Sequence, residues 1–90
     1  MTKFRKKPVI IDAIQFHGTA KSAIDVFDEF DIPNAKFIPC RGNLEHGYLI
    51  IPTLEGKHVA LDQDWIIRGI VGEFYPCKPD VFDRTYEEIQ

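Results

Sequence analysis

Turn-forming residues interrupt this chain so often that only one stretch can become a helix of any length. His17-Gly18, Pro33-Asn34, Glu55-Gly56, Asp62-Gln63-Asp64, Gly69 to Gly72 and Lys78-Pro79-Asp80 each break the pattern. The runs between them suit short strands. The exception begins at Thr19, which can cap a helix, and places Ala20, Ala23, Ile24, Phe27 and Phe30 on one stripe at helical spacing. Lys21, Ser22, Asp25, Asp28 and Glu29 fall on the opposite face, and Pro33 stops the helix near Asp31.

The strand segments follow from the same breaks. Pro8 to Phe16 is β-branched and apolar on both faces, which predicts a central strand. Lys36 to Pro39 is a short candidate, followed by a polar loop from Cys40 to Gly47. Tyr48–Leu54 and Lys57–Leu61 flank Glu55-Gly56 and predict a hairpin, with Gly supplying positive φ at the turn. Trp65–Arg68 and Glu73–Pro76 flank the reversal at Gly69–Gly72. Lys78-Pro79-Asp80 opens a short helical turn that ends by about Arg84, and Thr85–Ile89 reads as a last edge strand. The sum is an α+β fold in which one main helix packs on a curled antiparallel sheet, with a short C-terminal helical turn.

Size limits what this fold can bury. Ninety residues make one domain, 1–90, with a modest core, so self-association into a homo-oligomer is expected. The apolar share of 44% excludes disorder. The net charge of −3 argues against nucleic acid as a partner, although Lys3, Arg5, Lys6 and Lys7 crowd the N-terminus. With no secretory leader or long apolar run, a cytoplasmic protein with reduced thiols and no membrane partner is expected.

The C-terminal half carries a specific motif. Asp64 to Gly69, then Gly72 to Phe82 (containing GEFYPCKPD), then Thr85-Tyr86-Glu87, resembles small proteins encoded by tailed phages and prophages. Their N-termini similarly look like Arg5-Lys6-Lys7-Pro8-Val9 and a strand ending in Gln15 and an aromatic, here Phe16. The resemblance covers both ends of the chain but not Gly18 to Gly47. Asp62-Gln63-Asp64 stands where that family carries Pro-Gly-Asp, and both spellings make a turn. The resemblance implies a phage origin and action in the host bacterial cell more than it implies an activity.

Catalytic and metal chemistry find little support. His17, His46 and His58 lack ligand spacing, and Cys40 and Cys77 form neither a zinc signature nor a disulfide framework. Cys77, between Pro76 and Lys78 at a helix start, is the one candidate nucleophile, but no feature supplies its base. No catalytic residue, metal site or cofactor is therefore expected. The candidate ligand-binding residues are Trp65, Arg68, Phe74, Tyr75, Lys78 and Arg84, because rings interleaved with cations suit a planar anion. Alternation sends Phe74 and Tyr75 to opposite faces, one to the core and one to solvent. The expected function is a non-catalytic phage accessory protein that sequesters a small nucleotide-like anion, an anti-defence sponge. The alternative is an interaction module that inhibits or redirects a host protein.

Overall fold

Two antiparallel sheets of three strands each share the core with one helix. The structure, a computed structural model, describes residues 1–89. In chain order the elements are β1 (Asp12–Gln15), α1 (Ala20–Glu29), β2 (Lys36–Cys40), β3 (Asn43–Thr53), β4 (Gly56–Ala60), β5 (Trp65–Arg68), β6 (Phe74–Cys77) and α2 (Pro79–Thr85). The first sheet has the order β1-β5-β6 and the second β2-β3-β4. The α+β class, the main helix and the short C-terminal helix are those read from the sequence, and the strands divide between two sheets.

Helix α1 begins where its cap directs. The Thr19 hydroxyl accepts the Ser22 N–H at 3.0 Å, satisfying one of the donors that every helix start leaves open. The buried face is Ser22, Ala23, Val26 and Phe30, rotated from the expected stripe, and Ile24 is 60% exposed. The reason is polar. Ser22 Oγ accepts the His17 N–H at 2.8 Å, which ties the serine to the strand side and turns Val26 inward. Val26 and Phe30 then meet Phe16, Leu49, Ile51 and Ile66 in the main core.

Strand β1 is shorter than Pro8 to Phe16, and it is an edge strand rather than a central one. Its only partner among the described residues, β5, has four residues before the Gly69–Gly72 reversal, so only Asp12 to Gln15 find ladder positions. Residues 8–11 run on past the end of the sheet. The doubly buried strand is β5 instead, where the neighbours Ile66 and Ile67 are both fully buried.

The segment from Cys40 to Gly47 is not a polar loop. A tight turn at Arg41-Gly42, with Gly42 at φ +85°, returns the chain directly into β3. Position 47, inside that strand, admits only glycine, because a Cβ there would stand 2.1 Å from the Ile38 carbonyl oxygen. The next hairpin turns at Leu54-Glu55, with Gly56 (φ +114°) opening β4, one residue earlier than expected. In the Asp62-Gln63-Asp64 turn, Gln63 takes φ +75°. Thr85 closes α2, and residues 86–89 form no strand, which corrects the expected last edge strand.

Candidate functional site

The first sheet is covered on both faces, which creates a second, smaller cluster. Ile66 joins the main core and Ile67 does not, as alternation along β5 requires. Register places Ala13, Trp65, Tyr75 and Cys77 on the Ile67 face. Helix α2 lies against this face. Pro79 sits at its first turn and Asp80 in the same turn, as suits a helix start. Phe82 and Tyr86, four residues apart, then present their rings on one side. Trp65 and Phe82 stack with centroids 4.2 Å apart and planes 6° from parallel. Phe82 and Tyr86 follow at 5.1 Å.

Beside this ladder of rings lies a slot of about 380 Å³. Residues 9–13 line one side, residues 86–89 the other, and Trp65 and Phe82 contribute rings. Its volume lies within the range of natural ligand sites. The charged residues lining it are Asp12, Glu87 and Glu88. Asp12 is ion-paired with Arg68, and Glu87 and Glu88 are exposed. The cation nearest the rings comes from the N-terminal arm: Lys6 Nζ lies 5.9 Å from the Tyr86 ring centroid.

The six residues singled out from the sequence do not converge. Trp65 is in the slot and half-buried. Tyr75 shares its sheet face, beside Tyr86, and both burial and that neighbour keep the Tyr75 phenol protonated, pushing its pKa up to about 12. Arg68 and Phe74 point to the other face of the sheet, opposite each other in register. There the Arg68 guanidinium lies 5.4 Å from the Phe30 ring centroid, and Phe74 meets Phe30 at 5.5 Å. Phe74 and Tyr75 are both half-buried, rather than one core and one exposed, because each face of β6 has a neighbour to cover it.

Lys78 and Arg84 are engaged with carboxylates. Lys78 Nζ donates to Asp64 Oδ2 at 2.9 Å, and the Asp64 side chain is only 3% exposed. The same oxygen accepts the Leu61 N–H at 2.9 Å. Lys78 is thus the counterion of a buried carboxylate. Arg84 pairs with Asp80 at 3.7 Å on the exposed side of α2.

Cys77 has no activated thiol. Burial pushes its pKa up, and the negative charges of Asp64 and Asp80 push it further. Its Sγ–H donates weakly to the Lys78 carbonyl at 3.6 Å. The three histidines belong to separate segments: His17 follows β1, His46 is in β3 and His58 is in β4. Among the described residues, no three His, Cys, Asp or Glu side chains cluster as a metal set, and no helix is long and apolar enough to cross a membrane.

Phe82 lies at the end of the Trp65-to-Phe82 stretch that the sequence marks as a binding surface; the residues missed are Tyr86, Glu87 and Glu88, together with the wall from Val9 to Ala13. One signal was available: Phe82 and Tyr86 at helical spacing after a Pro-Asp helix start. The pairing of the two chain ends had none. A broader groove of about 950 Å³ lies elsewhere, lined by Ile32, Pro33, Pro52, Leu54 and Phe74 among others, with Asp31, Glu55 and Glu73 also contributing.

No family model matches this chain, and neither a curated protein nor a solved structure matches it.

Proposed function

We propose that this chain acts by binding rather than catalysis, as an interaction module that docks an extended basic segment of a host protein in the slot between its two ends. The observation that carries this reading is the chemistry of the slot. Aromatic faces attract cations, carboxylates at the rim reinforce that attraction, and Lys6 already stands over Tyr86. The outer edge of β1, a sheet-edge strand, offers backbone groups with which an extended segment can pair. The phage-type motif supports an accessory role inside the infected bacterial cell, where blocking or redirecting one host protein is sufficient.

A sponge for a small nucleotide-like anion draws support from the flat, half-exposed Trp65–Phe82 stack. Arg68, Lys78 and Arg84 are engaged with Asp12, Asp64 and Asp80, and the charged residues that line the slot are acidic, so the interaction module is the stronger reading.

The chain has a single tryptophan, and Trp65 lines the slot, so its emission reports occupancy directly. Titration with a Lys/Arg-rich decapeptide is expected to change that emission saturably, with weakening as salt rises. A Glu-rich decapeptide should have no effect. Saturable binding of cyclic di- or trinucleotides, with no response to the basic peptide, would overturn this assignment in favour of the sponge.

A further inference from the structure

We infer that the slot of one copy takes the basic N-terminal arm of a second copy, so that two chains exchange arms across a twofold axis. This rests on the reading of the slot as a site for extended basic segments, and it names the chain itself as one such ligand.

Met1 to Ile10 is exposed throughout, and it carries Lys3, Arg5, Lys6 and Lys7 with no acidic residue. Removing those four positive charges from a chain of net −3 leaves a body of net −7. The arm is the only strongly cationic part of an acidic molecule. Apolar side chains accompany the charges, with Phe4 92% and Ile10 77% exposed. The molecule measures 54 × 29 × 23 Å, and its radius of gyration of 14.4 Å exceeds the roughly 12 Å of a compact chain of this length.

The arm fits a slot of this kind and is poorly placed to fill its own. Residues 9–13 are already one side of it, so the preceding residues would have to double back at Pro8. Proline fixes its own φ and biases Lys7 to an extended backbone, which opposes that reversal. Within one chain, Lys6 reaches the Tyr86 ring at the edge of the slot. Across two chains no reversal is needed. Phe4 can lie along the Trp65, Phe82 and Tyr86 rings while the cations meet Glu87 and Glu88. Each copy both gives and receives an arm, so the arrangement closes as a dimer. A host segment entering the slot would have to displace the arm.

Sedimentation equilibrium on four full-length chains over a concentration series tests this. The natural chain is expected to dimerise, and less so at high salt. An arm-reversed chain (Lys3→Glu, Arg5→Glu, Lys6→Glu, Lys7→Glu) and a slot-reversed chain (Glu87→Lys, Glu88→Lys) should each be monomeric. A chain carrying all six substitutions should regain dimerisation in part, because arm and positions 87 and 88 again carry opposite charges while the attraction of cations to the rings is not restored. A monomeric natural chain, or reversed chains that dimerise as the natural one does, overturns the arm exchange. So does failure of the six-substitution chain to recover. Circular dichroism of each variant confirms that it is folded. The wider reading is judged separately, by following Trp65 emission while an arm-neutral chain (Lys3→Gln, Arg5→Gln, Lys6→Gln, Lys7→Gln) is titrated with the Lys/Arg-rich decapeptide. Binding there without dimerisation of the natural chain rejects only the exchange, and no binding rejects the slot itself.

Discussion

Replacing Lys78 with methionine separates a ligand-binding cation from a structural one. The substitution keeps the apolar stem and removes the ammonium, leaving Asp64 nearly fully buried with the Leu61 N–H as its remaining donor. Stripping a partner from a buried ion in a dry interior costs about 3–5 kcal/mol. The Lys78 side chain is 56% exposed, so water can enter where the ammonium stood. The expected loss is therefore nearer that of one charge-assisted hydrogen bond, about 1.5–3 kcal/mol. In a domain this small, each kcal/mol moves the melting temperature by about 4–8 °C, so Lys78→Met should melt roughly 6–24 °C lower. Arg84→Met is the control: its ion pair is exposed on both sides, and the change should stay within about 0.5 kcal/mol. Thermal unfolding followed by circular dichroism, with urea titration as a second measure, reads both. A Lys78→Met chain as stable as the natural one would refute the assignment of Lys78 to Asp64. Loss of ligand binding without loss of stability would return Lys78 to the binding site.

Gly47→Ala should destabilise by about 1–3 kcal/mol or prevent folding, because the new methyl group meets the Ile38 carbonyl; urea unfolding measures it. Cys77 should react with iodoacetamide more slowly than the exposed Cys40 at pH 7, and faster as pH rises, since burial and two nearby carboxylates disfavour its thiolate. Mass spectrometry of the alkylated peptides resolves the two sites. With Tyr75 pushed up to about 12, the folded chain holds a phenolic proton that the unfolded chain releases near pH 10. That contribution is complete below pH 10 and is lost as pH climbs from 10 to 12. Ultraviolet titration should show one tyrosine ionising near pH 12, and Tyr86→Phe should bring it down.

The sequence made the helix cap, the turns and the Pro79 helix start legible because each is decided within a few residues. Thr19, Gly56 and Pro79 act through their own backbone neighbourhood. What it misplaced depends mostly on partners distant in the chain. The length of β1 is set by β5, some fifty residues later. The rotation of α1 is a nearer effect, set where the His17 N–H donates to Ser22 Oγ across the turn before the helix. The candidate site failed in the same way. Counting rings and cations along Trp65 to Arg84 passed over the strand alternation that sends Arg68 and Trp65 to opposite sides of one sheet. Nor could it show that Lys78 is held by Asp64, or that the slot is closed by joining the N-terminal segment to the C-terminal one.

Chemical-shift mapping of the ¹⁵N-labelled chain with a Lys/Arg-rich decapeptide addresses the slot residue by residue. The largest changes are expected at residues 9–13, the Trp65 indole and residues 82–89. Changes confined to the broad groove around Pro33, Pro52 and Leu54, or a spectrum that does not move, would contradict this expectation.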